Sequence, residues 1–198
     1  LIAVSNELDE HIIHQLVAAD SPVDLWGVGT QLVTGGGDPS LTGVYKLAAK
    51  ERPDGVYHPT MKVSDNPEKS TNPGIKQVYR FYGQRSYPMG DLVTLEDKPP
   101  EPHRPVTFYH PSGDYRKFRL DNYTRFEPLL QRYMEEGRRV IPETPLPDIR
   151  ERTIANLKCL DETYTRLINP HIYKVSVSRE LKALKQDFLA RYLLEPEE

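Results

Sequence analysis

The fold of this chain is decided near its amino terminus by the stretch Val23-Asp24-Leu25-Trp26-Gly27-Val28-Gly29-Thr30. An apolar run here ends in two glycines and a threonine, which is typical of a buried strand followed by a loop. Residues 1–5 form an earlier apolar run, and apolar residues between the two runs recur with helical spacing from Leu8 to Val17. We expect Asn6 to cap this helix. The order strand, helix, strand, glycine-rich loop predicts a βα repeat with parallel strands.

Both predicted strands end in small polar residues or glycines. In α/β barrels the functional site lies at the carboxyl ends of the strands, and loops after late strands often hold phosphate. Glycine lets backbone N–H groups approach a phosphate closely, and the Thr30 hydroxyl is a further donor. A tight structural turn explains the same pattern equally well. The stretch lacks the third glycine of a dinucleotide fingerprint and the Gly-Lys-Ser/Thr of a P-loop.

A polar excursion follows, which we take to extend to residue 76. It carries the lysines Lys46, Lys62, Lys69 and Lys76, which could neutralise a pyrophosphate if they converge on a cleft. Lysines on a polar loop are more often simply solvated. We predict short strands at residues 43–48 and 61–63 within this region.

From residue 77 the pattern changes to short β-like segments separated by Gly, Pro and Asp turns, which predicts an antiparallel, sheet-rich module. The predicted strands are 77–82, 91–96, 106–110 and 115–120. We predict a short helix at 126–136 and two amphipathic helices at 148–167 and 179–194. The predicted domains are 1–76 (last βα units of a barrel), 77–145 (β-rich segment) and 146–198 (helical region).

Composition narrows the range of functions. The chain has 198 residues and a net charge of −3, which argues against nucleic acid or an anionic membrane as partner. One cysteine, Cys159, excludes an internal disulfide and fits a cytoplasmic location. The six histidines show no metal-ligand spacing, so no metal site and no catalytic set is predicted. The apolar start at Leu1, without a methionine, leads us to expect a piece of a longer protein.

The order of several segments resembles nicotinate phosphoribosyltransferases, densely over residues 1–82 and more thinly to about 190. The segments that carry the resemblance are Ile2 to Glu10, Val23 to Thr34, Pro39 to Leu47 and Lys62 to Arg80. The resemblance implies an α/β fold: the carboxyl-terminal part of a type II phosphoribosyltransferase α/β barrel, with a β-rich small-domain segment and C-terminal helices. It also implies that the protein is a homodimer.

The resemblance further implies an ATP-assisted, ligase-type reaction that joins nicotinate to phosphoribosyl pyrophosphate, in NAD biosynthesis, with Mg²⁺ accompanying the phosphates. Thr30, Gly29 and Gly27 resemble the 5-phosphate loop. Ser5 and Asn6 match positions that related nicotinamide-using enzymes place near ribose and phosphate. Lys46 and Lys69 match basic residues that reach pyrophosphate or ATP across the dimer interface.

The family's phosphorylated histidine lies upstream of the matching region, and none of the six histidines corresponds to it. We therefore expect the amino-terminal half of the same enzyme to be a required partner, and this chain alone to have negligible activity. Two alternatives stay open, a non-enzymatic α/β module that binds phosphate and a fragment that serves assembly. The Gly27-to-Leu32 segment favours nicotinate over nicotinamide by resemblance.

Overall fold

A computed structural model describes residues 1–34, 43–64, 69–113, 115–166 and 168–194. The chain divides into two compact units, Leu1–Tyr45 and Lys46–Glu198. The three-part division predicted from the sequence stays a prediction.

The first unit is organised around two parallel strands. Strand β1 is Ala3–Ser5 and strand β2 is Leu25–Gly27, and Ser5 is paired with Gly27 at their carboxyl ends. Helix α1, Glu10–Ala18, connects them, and helix α2, Thr30–Thr34, follows. The predicted βα repeat with parallel strands is confirmed.

The helix cap differs from the prediction. The side chain of Asp9, not Asn6, accepts a hydrogen bond from the Ile12 N–H at 2.7 Å. Asn6 instead has a φ of 79°, so it bends the chain out of β1 before the helix begins. Asparagine and aspartate both cap helices well. Because Asn6 and Glu7 form the bend after β1, the helix begins later, and Asp9 is the residue in the capping position.

Little of the first unit is buried. Leu8 is 4% exposed, whereas α1 and α2 contain no buried residue. Leu32 and Val33 of α2 are 75% and 84% exposed. Within the described residues of this unit, most of the apolar surface of the βα repeat is therefore left uncovered.

The second unit is built on a six-stranded sheet. In chain order its first five strands are β5 (Lys76–Tyr82), β6 (Pro88–Leu95), β7 (Val106–Tyr109), β8 (Lys117–Leu120) and β9 (Arg125–Pro128). The sixth strand is β12 (Val175–Val177), and the spatial order is β8-β7-β12-β6-β5-β9. All neighbours are antiparallel except β12 and β6. Two hairpins stand apart, β3 (Ala49–Glu51) with β4 (Tyr57–Pro59) and β10 (Met134–Glu135) with β11 (Arg138–Arg139).

The main aromatic core cluster of this unit lies on one face of the sheet. Phe81 and Phe108 are completely buried, and their rings meet edge to face at 5.2 Å. Leu92 and Leu120 complete the cluster. Because side chains alternate along a strand, residues 80 and 82 of β5 lie on the opposite face from Phe81.

The described part of the second unit has three α-helices: α3 (Leu146–Lys158), α4 (Glu162–Thr165) and α5 (Arg179–Leu194). The predicted helix at 179–194 is confirmed as α5. It packs against the sheet, and its Leu181 side chain is completely buried. The predicted helix at 148–167 is wrong in extent, because α3 ends at Lys158 and Asp161 caps a separate short helix. In the described part of the chain, no helix is both long and apolar enough to cross a membrane.

Three other sequence predictions are wrong. Residues 126–136 contain β9 and the start of a hairpin instead of a helix, because Phe126 pairs across to Phe81 in the core. Residues 43–48 and 61–63 form no strand in the structure; β3 begins at Ala49, after the first of these stretches, and β4 ends at Pro59, before the second. The four strands predicted between 77 and 120 are confirmed as β5, β6, β7 and β8, each with bounds shifted by one to three residues.

Candidate functional site

A small cavity lies where β1 and β2 end. It has a volume of about 170 Å³, and seven of the described residues line it: Asn6, Glu7, Leu8, Gly27, Gly29, Thr30 and Gln31. Of the five residues predicted to hold phosphate, four are therefore lining residues. The fifth, Ser5, is the strand partner of Gly27. The structure brings the whole predicted set together at the carboxyl edge of the parallel strands.

Glycine at position 27 allows the two strand ends to approach closely. A Cβ atom built on Gly27 would lie 2.9 Å from the Ser5 Cβ, closer than side-chain carbons come to each other. A Cβ on Gly29 would meet nothing within 4 Å. The two glycines thus serve different purposes, since Gly27 is needed for packing and Gly29 leaves backbone open to the cavity.

The turn after β1 has an unusual backbone. Asn6 and Glu7 have φ values of 79° and 45°, in the left-handed region that asparagine tolerates and glutamate rarely adopts. Such conformations cost of order 1–3 kcal/mol each and cluster at functional sites. The bend places both residues in the wall of the cavity, directly across from the loop after β2.

The other wall is the start of α2. Thr30 is the first residue of this helix, and the Gly29 carbonyl accepts hydrogen bonds from the Leu32 and Val33 N–H groups at 3.1 Å. The N–H groups at the start of a helix have no acceptor inside it, so they can donate to a ligand. The Thr30 hydroxyl and the amides of Asn6 and Gln31 add further donors.

The size and charge of the cavity limit what it could hold. Its volume is below the roughly 300–1,000 Å³ of sites for drug-sized ligands, so it has room for a phosphate group but not for a whole nucleotide. Among the described residues, Glu7 is the one carboxylate that lines it. Because the Glu7 side chain is exposed, water screens its repulsion of an anion.

The predicted lysines belong to the second unit, and they differ in what they contact. Lys46, Lys62 and Lys69 are exposed. Lys76 is half-buried, and its ammonium donates to the carbonyl oxygens of Asn72, at 2.8 Å, and Gly74. Burial lowers the pKa of Lys76. Its described contacts therefore give Lys76 a structural role, holding the loop before β5.

The sequence analysis missed an ionic cluster on the far face of the sheet. Arg80 donates two hydrogen bonds of 2.8 Å to Asp91, and the Tyr173 hydroxyl donates a third at 2.9 Å. The hydrogen bonds to Asp91 raise the pKa of Arg80, and burial raises the pKa of Tyr173. Arg80 and Asp91 are eleven residues apart and meet only through the β5–β6 register, a signal that pattern reading alone does not supply.

Glu7, Leu8 and Gln31 were also missed as lining residues. Glu7 and Gln31 each directly follow a residue that was predicted, so a site at the end of a strand is better predicted as a segment than as single positions. Searching the described ranges finds no group of three or more His, Cys, Asp or Glu side chains placed to hold a metal ion.

Comparison with known proteins identifies the family. Residues 75–185 match the family model described as nicotinate phosphoribosyltransferase C-terminal domain. The chain belongs to the nicotinate phosphoribosyltransferase family. The resemblance drawn from the sequence, including its placement in the carboxyl-terminal portion, is therefore confirmed.

Relatives extend the match over nearly the whole chain. Nicotinate phosphoribosyltransferase of Bacillus subtilis (strain 168) is 36% identical over 181 residues, which cover 90% of this chain and 36% of the relative. The proteins of the same name from Caenorhabditis elegans and Homo sapiens are 34% and 32% identical, with 91% and 96% of this chain covered, and 31% and 34% of the relative. The chain thus spans about a third of the length of these nicotinate phosphoribosyltransferases.

A solved structure has a similar fold. The crystal structure of human nicotinic acid phosphoribosyltransferase superposes with a TM-score of 0.61 at 27% sequence identity. The match covers 96% of this chain and 33% of the human chain. The α/β fold expected from the sequence is supported by this match.

Proposed function

We propose that this chain forms the phosphate-holding, carboxyl-terminal part of a nicotinate phosphoribosyltransferase. The complete enzyme would join nicotinate to phosphoribosyl pyrophosphate, releasing nicotinate mononucleotide and pyrophosphate in NAD biosynthesis. The observation that carries the proposal is the match to the family model. Relatives named nicotinate phosphoribosyltransferase align with nine-tenths or more of this chain. The chain spans about a third of those relatives, so the remaining groups of the site would come from outside it.

Within this enzyme, the cavity at the ends of β1 and β2 would hold the 5-phosphate of phosphoribosyl pyrophosphate. Thr30 would donate its hydroxyl, Gly27 and Gly29 would present backbone, and Ser5 and Asn6 would border the ribose side. Donors fixed before the substrate arrives need no reorganisation, which is how a preorganised site favours binding and reaction. The volume of the cavity and its place at the carboxyl ends of parallel strands support this role.

The first unit would be the last part of an α/β barrel of the type II phosphoribosyltransferase kind. Two observations support this assignment: β1 and β2 are parallel, and the apolar residues of α1 and α2 are uncovered within the unit. Preceding barrel strands, supplied by the amino-terminal half of the enzyme, would cover these surfaces. The phosphorylated histidine would lie there too.

ATP and Mg²⁺ stay predictions from family resemblance. The described residues include no cluster of metal-binding side chains, so we assign no magnesium ligand and no reaction step to the metal within this chain. We propose that Lys46 and Lys69 neutralise pyrophosphate or ATP phosphates across a homodimer interface. Their exposed side chains support a role in binding anions from outside.

The role of Thr30 is tested by the substitution Thr30→Val in the complete enzyme. We expect the KM for phosphoribosyl pyrophosphate to rise roughly tenfold with the KM for nicotinate nearly unchanged, because a hydrogen bond to a charged group is worth about 1–3 kcal/mol. Steady-state kinetics with each substrate varied in turn measures both constants. Thr34→Val is the matched control, since its hydroxyl donates to the Thr30 carbonyl at 2.6 Å and does not line the cavity. Equal effects of the two substitutions would remove Thr30 from the site.

The role of Lys46 is tested by Lys46→Ala in the same enzyme. We expect weaker use of ATP or pyrophosphate, by roughly a factor of ten for a lost charge-assisted hydrogen bond, with nicotinate affinity preserved. Lys50→Ala, an exposed lysine four residues away on β3, is the control. A selective defect in nicotinate binding would contradict the proposed role.

A further inference from the structure

Two lysine ammonium groups hold the segment before β5 by its main chain. The carbonyl oxygens that accept from them belong to three alternate residues, which are Ser70, Asn72 and Gly74. Lys185 of α5 donates to the first of these carbonyls at 3.3 Å. Lys76 donates to the second at 2.8 Å and also to the third. An ammonium has three donor hydrogens, so it can serve carbonyl groups that lie outside a sheet ladder. Lys76 and Lys185 form a lysine clamp, and residues 69–75 are the clamped segment.

Both lysines of the clamp are half-buried, and burial lowers the pKa of each. Removing an ammonium from water costs free energy, which a carboxylate partner usually offsets. Among the described residues, neither Lys76 nor Lys185 has such a partner, and both ammonium groups contact main-chain carbonyls instead. Two positive charges are therefore partly buried in order to hold backbone, which points to a segment whose position matters.

The N–H groups of the clamped segment are bonded as well. The Thr71 N–H donates to the Lys62 carbonyl at 3.1 Å, and the Lys62 N–H donates to the Thr71 hydroxyl at 2.9 Å. The Gly74 N–H donates to the Ala48 carbonyl at 2.7 Å. Hydrogen bonds thus fix this backbone through its donors as well as its acceptors, although residues 69–75 belong to no strand.

Helix α5 supports the clamped segment by packing as well as by the Lys185 hydrogen bond. A Cβ atom built on Gly74 would lie 3.7 Å from the Leu184 Cδ2 atom and 2.9 Å from the Leu95 Cδ2 atom. Gly74 also has a φ of 82°, a backbone conformation that glycine adopts readily and other residues rarely do. Two neighbouring residues of α5, Leu184 and Lys185, therefore hold the segment in place beside β6.

The clamp fixes backbone beside the two lysines that the proposed function assigns to phosphates. Lys69 directly precedes Ser70, whose carbonyl accepts from Lys185, and the Lys69 side chain is exposed. Lys46 lies two residues before Ala48, whose carbonyl the clamped segment binds. A charged side chain that extends from fixed backbone loses less conformational entropy on binding than one on a mobile loop. The arrangement therefore favours phosphate binding by these exposed lysines.

We propose that Lys76 and Lys185 are positioning residues for phosphate binding, because they fix the main chain from which Lys69 reaches pyrophosphate or ATP. They act through Lys69 and do not touch the substrate, since their ammonium groups are bonded to main-chain carbonyls. The inference rests on the proposed function and adds to it a role for α5, which lies more than a hundred residues after Lys69 in the sequence.

Hydrogen exchange tests whether Lys185 holds the clamped segment. In the complete enzyme, Lys185→Met should speed exchange of the Thr71 and Gly74 amide hydrogens at least about tenfold, because a hydrogen bond from a charged donor is lost. The control is Lys182→Met, since Lys182 lies on the same helix and its ammonium donates to the Gly113 carbonyl at 2.9 Å, in another loop. This control should leave both amides unchanged. Unchanged exchange in Lys185→Met, or equal changes in the two variants, would overturn the proposal.

Steady-state kinetics tests whether the clamp acts through Lys69. Lys69→Ala and Lys185→Met should each raise the KM for the same phosphate substrate, phosphoribosyl pyrophosphate or ATP, at least about threefold and leave the KM for nicotinate unchanged. Lys185→Met should add little further in a Lys69→Ala background, because a positioning residue has no effect once the residue it positions is gone. Lys185→Arg keeps a charged donor and should stay closer to the wild-type KM than Lys185→Met. Additive effects in the double variant would contradict the proposal, as would a KM that neither single substitution changes.

The remaining outcomes separate this inference from the proposed function. If Lys185→Met does not fold, Lys185→Gln replaces it as a milder polar substitution with the same expected results. A wild-type enzyme that forms no nicotinate mononucleotide contradicts the proposed function and this inference with it. An active wild-type enzyme in which the Lys185 substitution changes neither amide exchange nor KM overturns this inference alone.

Discussion

Gly27 and Gly29, which precede Thr30, look interchangeable in the sequence. In the structure they have different surroundings. Gly27 lies against Ser5 of the neighbouring strand, where an added Cβ would be 2.9 Å from the Ser5 Cβ. Gly29 has no neighbour within 4 Å of such an atom. In the motif Gly-Val-Gly-Thr, Gly27 therefore meets a packing requirement and Gly29 leaves an opening for a ligand. Only the packing at Gly27 affects the stability of the fold.

This difference predicts the outcome of substituting alanine for each glycine. Gly27→Ala should destabilise the first unit by about 1–3 kcal/mol, because a forced contact displaces one strand from the other. Gly29→Ala should change stability by less than about 1 kcal/mol. The thermal unfolding midpoint of the complete enzyme is the measurement. A midpoint lowered as much by Gly29→Ala as by Gly27→Ala would show that the close approach of the strand ends is not what requires glycine.

At the level of elements, the sheet of the second unit depends on a tether between distant parts of the chain. Tyr173, just before β12, donates to Asp91 of β6, which Arg80 of β5 also holds. β12 then lies between β7 and β6, parallel to β6. One ionic cluster thus joins the end of the helical region to the sheet, which explains how a three-residue strand remains in the middle of it.

Removing the shared carboxylate tests this tether. Asp91→Ala leaves the Arg80 guanidinium and the Tyr173 hydroxyl without their acceptor, and breaking such a pair costs about 3–5 kcal/mol when it is buried. Arg80 is a quarter exposed, so we expect a value near the lower end. The control is Asp187→Ala, which removes an exposed pair with Arg191 and should cost less than about 1 kcal/mol. Chemical denaturation compares the two, and similar losses would contradict a structural role for the cluster.

The elements also show where sequence patterns succeed. The helix at 179–194 and strands β5 to β8 have clear periodicity and turn residues at their ends, so they were predicted correctly. The stretch 126–136 has apolar residues at helical spacing, but Phe126 packs beside Phe81 in a strand, a long-range contact that overrides local preference. β12 is too short to give a periodic signal, and it is a strand only because two neighbours pair with it.

At the scale of the whole molecule, the proposed function places only part of the site in this chain. The cavity residues could be predicted because glycine and polar residues follow each strand directly, and β1 and β2 bring those ends together. The Asn6–Glu7 bend could not, since left-handed backbone at a glutamate has no sequence signal. The chain covers about a third of the length of these relatives, so under the proposed function the remaining groups of the site lie outside it.

The most direct test of this account is an assay for nicotinate mononucleotide with the 198-residue chain and the complete enzyme side by side, each with and without ATP. We predict that the complete enzyme forms product from nicotinate and phosphoribosyl pyrophosphate, faster with ATP, and that the 198-residue chain alone forms none. Product formed at comparable rates by the chain alone would show that it contains the catalytic groups we place outside it. A complete protein that forms no product would instead favour the non-enzymatic alternative and contradict the proposed function.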